Sequence, residues 1–129
     1  MIDITNGKQT GFLGRDKIYI GRGNRYYKLS SSPLNNPFPI HSKCSRQQSI
    51  ELYRQHLWGS IKLIRDTGKV DGVMRKLIWI AQLEKQKGKV VLVCWCKPLD
   101  CHGDVVIRAL NWLKTQPWFM QRVDNFING

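Results

Sequence analysis

Val90 to Leu113, reading VVLVCWCKPLDCHGDVVIRALNWL, restricts the fold more than any other stretch of this chain. Its first seven residues are too apolar for a half-exposed strand and predict a central strand covered on both faces, as in parallel sheets. Lys97-Pro98-Leu99-Asp100 then reads as a turn. From about His102 to Leu113 a helix follows, with Val105, Val106, Ala109, Leu110 and Leu113 at inward-facing spacing. A buried strand feeding a helix through a short turn is the unit from which α/β sheets are built.

The rest of the chain supplies matching pieces. Ile2-Asp3-Ile4-Thr5 alternates as a short strand and Asn6-Gly7 reads as a turn. A second strand is expected at Lys17-Ile18-Tyr19-Ile20, leaving through a basic loop, Gly21-Arg22-Gly23-Asn24-Arg25. Residues 29–44 hold three prolines and no helical period, and read as a loop. Ser45 and Gln48 have capping-box spacing. Ile50, Tyr53, Leu57, Ile61 and Ile64 then mark one face of an amphipathic helix that Thr67-Gly68 ends. Asp71 is placed to cap a further helix carrying Val73, Met74, Leu77, Ile80, Ala81 and Leu83, with Gly88 as its stop. Trp58, Trp79, Trp112 and Trp118 are expected mostly in the core, and His41 and His56 on the surface. The 129 residues predict one α/β domain with a small, mainly parallel, Rossmann-like sheet flanked by helices. The first two strands leave room for an antiparallel edge, and residues 114–129 form a packed C-terminal extension.

Charge narrows the partners. Twenty-one Lys and Arg against nine Asp and Glu give +12. The excess is spread over the chain: seven basic and two acidic side chains in residues 1–44, nine and four in 45–88, and five and three in 89–129. An anionic small molecule or a nucleic acid is the expected partner. No apolar run approaches the ~20 residues of a membrane span, and MIDITNGKQTG lacks a signal-peptide pattern. A cytoplasmic location is expected, with no membrane partner, and the cysteines are then metal-binding, catalytic or buried rather than disulfide-bonded. The sequence leaves the oligomeric state open.

All but one of the four cysteines lie between Val90 and Leu113, beside one of the three histidines. Cys94 and Cys96, two apart on a strand, share a face. Cys101 and His102 follow after four residues and can converge on it. Asp104 falls in the first helical turn, where a carboxylate caps free N–H groups, and Gly103 admits close approach to the backbone. Three chemistries fit: anion binding at the helix start, a thiolate of lowered pKa at Cys101 with His102 beside it, and zinc held by Cys94, Cys96, Cys101 and His102. Against zinc stands the spacing, which is not the usual C-x₂-C knuckle. Buried thiols plus a helix cap account for Cys94 but poorly for the whole cluster. Trp95 points away from the cysteine face. Two upstream features complete the candidate set: Arg22 beside Tyr26-Tyr27, pairing cations with stacking faces, and Asn36 in a rigid Asn-Pro turn, with an amide to offer.

The string Cys94-x-Cys96-x-Pro98-x-x-Cys101-His102-Gly103-Asp104-Val105 resembles the signature of the domain of unknown function 4326, a family of bacteria and their phages. Tyr19-Ile20-Gly21-Arg22, Ser32-Pro33-Leu34-x-Asn36-Pro37-Phe38 and the helix start at Ser45-Arg46 resemble that family's first half. The resemblance spans roughly residues 2–113. Asn35 stands where the family commonly has Gly, and Asn tolerates the left-handed backbone expected there. The resemblance strengthens the site and assigns no reaction, but it allows a phage-encoded protein in a host cytoplasm.

The expected function is binding of a nucleotide or other phosphate-bearing ligand at Cys94–Asp104. Catalytic candidates are Cys101, His102 and Asp104; ligand-binding candidates are Gly21, Arg22, Asn36, Cys96 and Gly103. Hydrolysis, group transfer and binding alone all remain open, and zinc is the one cofactor the residues suggest. The alternative is a non-catalytic nucleic-acid-binding module stabilised by zinc.

Overall fold

The computed structural model describes residues 1–128, with side chains through Asn125. Its centre is the strand the sequence marks most strongly. β1 (Ile2–Asn6), β2 (Lys17–Tyr19) and β3 (Val90–Cys94) form a sheet in the order β1-β3-β2. Both pairings are parallel, with Ile4 opposite Leu92 on one side and Ile18 opposite Leu92 on the other. No antiparallel edge forms among the described residues. β2 is one residue shorter than expected, although the Ile20 N–H still bonds the Val93 carbonyl at 3.1 Å, and β3 ends at Cys94, so Cys96 lies past the strand rather than on it.

Alternation along β3 divides the core. Val90, Leu92 and Cys94 face the helices and join one cluster with Tyr53, Leu57, Met74, Leu77, Val106, Leu110 and Phe119. Val93 faces the other way, onto Phe12 and Leu29, with Tyr19 and Trp95 at the margin. The second face is therefore covered by loop and aromatic side chains, so β3 is buried on both sides although its helices gather on one.

The helices start and stop as their caps dictate. A short turn, α1 (Gly7–Thr10), follows β1. α2 (Arg46–Thr67) opens on a complete capping box: Ser45 Oγ accepts from Gln48 N at 3.1 Å and Gln48 Oε1 accepts from Ser45 N at 2.8 Å. Gly68, left-handed at φ 76°, ends it. α3 (Gly72–Lys87) is capped by Asp71, whose Oδ1 accepts from Met74 N at 2.9 Å, and is closed by Gly88 at φ 79°. α4 (His102–Leu113) follows β3, and α5 (Pro117–Asn128) packs on α3 through buried Phe119 and Val123.

Three details differ from expectation. The buried stripe of α2 is Ser49, Tyr53, Leu57, Ser60, Ile61 and Ile64, so Ile50 sits at its margin. Trp58, Trp79 and Trp112 are exposed, because each lies one position off its helix's buried stripe; Trp58 pairs with Trp112 at 5.8 Å, and Lys76 lies over Trp79 at 4.2 Å. Asn35 is not left-handed: Lys28, at φ 55°, is the only such non-glycine residue among those described. Asn35 Nδ2 instead donates to the Ser32 carbonyl at 2.7 Å, which holds the turn without a positive φ.

Gly103 fixes how α4 meets the sheet. A Cβ there would fall 2.0 Å from Ile4 Cδ1 and 2.9 Å from Ile20 Cδ1. Both methyl ends lie against the core, so neither can turn aside freely. Gly103→Ala is expected to cost about 1–3 kcal/mol in urea unfolding. A loss within error of zero would show that α4 does not need this close approach.

Candidate functional site

The carboxyl ends of β2 and β3 open into a cleft of about 420 Å³. Its walls include Tyr19, Gly21, Arg22, Asn24, Asn36, Phe38, Ile40, Ser49, Cys96 and His102. Side chains from residues 19–49 thus meet the Cys-His segment across the strand ends, where parallel sheets place their ligands. No carboxylate lines the cleft among the described residues.

His102 ties the two halves. The ring is buried, and its Nε2–H donates to the Ile20 carbonyl at 2.9 Å. Nδ1 is then the acceptor nitrogen, 3.7 Å from Cys101 Sγ. Tyr53 stacks edge-on against the imidazole at 4.9 Å and donates its hydroxyl to the Leu34 carbonyl at 2.8 Å. Burial holds His102 below the ordinary histidine range, so the ring stays neutral.

Arg22 forms the cationic wall. Its Nε and Nη2 donate to the Asn36 carbonyl at 2.9 and 2.6 Å, while the rest of the guanidinium is exposed. Trp95 Nε1 donates to Tyr19 Oη at 2.8 Å, and Tyr19 donates to the Arg22 carbonyl at 2.5 Å. That relay fixes the loop from the far face of the sheet. Gly21 is a packing requirement, since a Cβ would lie 2.3 Å from Tyr19 Oη. The Asn36 amide holds the loop: Oδ1 accepts from Phe38 N at 2.9 Å and Nδ2 donates to Ser49 Oγ at 2.8 Å. One N–H and one lone pair of that amide remain for a ligand.

Cys101 and Asp104 lie outside this cleft. They line a neighbouring depression with Lys97, Asp100 and Arg108. Asp104 completes the capping box of α4, accepting from Cys101 N at 3.0 Å, and pairs with Lys97 Nζ at 2.6 Å. Cys101 is the N-cap, buried, with Sγ accepting from Gly103 N at 3.3 Å. Gly103 itself faces Ile4 rather than open space.

The thiols reverse one expectation. The neighbouring sulfurs of Cys94 and Cys96, together with burial, push the Cys101 thiol up rather than down. The same contacts lower its partners; Cys96, with Arg46 beside it, falls to about 6. Cys96 has the guanidinium and partial access to water, whereas Cys94 is enclosed. Among the described residues, no group of three or more His, Cys, Asp or Glu side chains is arranged to hold a metal ion. Of the residues considered for zinc, Cys101 and His102 lie 3.7 Å apart through Sγ and Nδ1, and each also bonds the backbone.

Tyr19 and Arg46 enter the sequence reading only as part of a strand or of the family resemblance and not as site residues, and Ser49 is not singled out at all. Ser49 had a signal, as a small polar residue four before Tyr53 on the helix stripe. The role of Arg46 beside Cys96 needs the tertiary fold, which alone brings the two together.

Residues 4–112 match the family described as Domain of unknown function (DUF4326), and the chain belongs to that family. No curated protein and no solved structure matches it. No described helix is long and apolar enough to cross a membrane.

Neutral His102 has a consequence for stability. Below about pH 6.5, the ordinary histidine value, the unfolded chain takes up a proton that the folded ring refuses. Stability from this group is full above that pH and is lost as pH falls toward the depressed folded value. The slope is at most about 1.4 kcal/mol per pH unit. His102→Gln should flatten the stability profile between pH 6.5 and 5, as read by urea unfolding; an unchanged slope would mean that the buried ring accepts the proton.

Proposed function

We propose that the protein binds a nucleotide or similar phosphate-bearing small molecule in the cleft at the ends of β2 and β3. The observation that carries this reading is the placement of Arg22 in a wall free of carboxylates, at the end of the sheet where ligands of α/β folds gather. A phosphate on the exposed edge of Arg22 leaves Phe38, Pro39 and Ile40 as an apolar wall for a base. Asn36 supplies a neutral polar group between the two ends, held in place by buried Ser49. The buried, neutral His102 shapes the floor and holds Ile20 in place.

Titration calorimetry with nucleoside mono-, di- and triphosphates tests it. At least one is expected to bind below millimolar, and Arg22→Gln to weaken it about ten- to a hundredfold, the size of a charged hydrogen bond of ~1.5–3 kcal/mol. Equal affinity in wild type and variant would remove Arg22 from the binding site.

A second reading, nucleic-acid binding, rests on a separate groove between α3 and α5. It measures about 890 Å³ and is lined by Arg75, Lys76, Arg122 and exposed Trp79, with no carboxylate among the lining residues. Cations beside an aromatic face suit single strands. Three phosphate contacts would give a salt slope of about −2 for a labelled oligonucleotide. Trp79→Ala should weaken binding; a salt-dependent affinity that Trp79→Ala leaves unchanged would place the oligonucleotide elsewhere.

A further inference from the structure

We propose that Cys96 is a nucleophile of the β2–β3 cleft, placed to attack an electrophilic carbon of an anionic ligand held by Arg22. The anionic half of this inference rests on the proposed function; the nucleophile itself does not.

The geometry separates Cys96 from the other two clustered thiols. Cys94 is 1% exposed and Cys101 2%, whereas Cys96 is partly open and faces the cleft that holds Arg22 and His102. Cys96 lies two residues past the end of β3 and packs against the cluster that holds Cys94, whereas Trp95 packs against the opposite one, with Phe12 and Val93. Arg46 reaches this sulfur from the first turn of α2 while its Nη1 donates to the Asp100 carbonyl at 2.9 Å. That second bond anchors the guanidinium beside the thiol. The Cys101 sulfur, which accepts from the Gly103 N–H, lies behind it. Each contact favours the anionic sulfur. An exposed guanidinium and an activated, accessible thiolate in one cleft match a substrate that carries both a negative group and a reactive carbon.

In the step, a lone pair of the Cys96 thiolate forms a C–S bond as the carbon's bond to its leaving group breaks. The leaving group departs with that electron pair and takes any proton it needs from solvent. No oxidant or reductant enters.

Iodoacetamide and iodoacetate, a neutral and an anionic carbon electrophile that both release iodide, test the two halves on the intact chain. Labelling of each cysteine is read by peptide mass spectrometry, with free cysteine as the reference thiol. At pH 6, Cys96 should react with iodoacetamide about tenfold faster than free cysteine, the gain in thiolate fraction less the lower nucleophilicity of a more acidic thiol. Arg46→Gln, on an accessible first-turn side chain, should remove most of that advantage. Iodoacetate should be preferred over iodoacetamide more strongly at Cys96 than by free cysteine, and Arg22→Gln should abolish that preference. A Cys96 rate no faster than free cysteine in the folded protein would overturn the nucleophile. Fast iodoacetamide labelling without the iodoacetate preference would instead overturn the anion-binding role of Arg22.

Discussion

The bond from His102 to the Ile20 carbonyl is the contact on which the rest of the structure turns. It joins the first residue of α4 to the residue just past β2, 82 positions earlier in the chain. The neighbouring Gly103 allows the helix to come close enough to make it. With α4 seated there, β3 lies between its two partners, the Cys-His segment ends beside Arg22, and a cleft opens. A neutral buried imidazole suits this task, since it satisfies a carbonyl that would otherwise be stranded without water and brings no charge into the core.

From that junction the polar groups divide into two kinds. Asp104, Cys101 and Lys97 close the helix start and satisfy one another. Arg22, Cys96 and the free edge of Asn36 face open space. The family signature thus mixes residues that build the junction with residues that border the cleft. Gly103 and Asp104 are needed for the helix to begin where it does, and their place in the motif requires no contact with a ligand. Cys96 both packs against the core and borders the cleft.

Much of the fold was legible because it follows from local chemistry. The capping box at Ser45, the caps at Asp71 and Gly88, and the doubly buried β3 all declare themselves within a few residues. The parallel direction of β1 and β2 did not, because strand direction depends on crossovers that short alternating segments do not encode. The tryptophans misled for a related reason. Apolar character suggested the core, but helical phase put Trp58, Trp79 and Trp112 just off the buried stripes. At the site, the sequence brought forward the right stretch and the right Arg22, yet chose Cys101 as the active thiol because a helix N-terminus lowers thiol pKa values. The fold buries that sulfur, and the thiol held low with partial access to the cleft is Cys96. The tertiary approach of Arg46 contributes to this.

The central claim is that anions bind in the β2–β3 cleft, and amide chemical-shift mapping tests it most directly. A nucleoside phosphate titrated into ¹⁵N-labelled protein should move the amides of Gly21, Arg22, Gly23, Asn24, Asn36 and Cys96 together, with a common saturation curve. Shifts confined to α3 and α5 around Trp79, or absent altogether at millimolar ligand, would contradict the account.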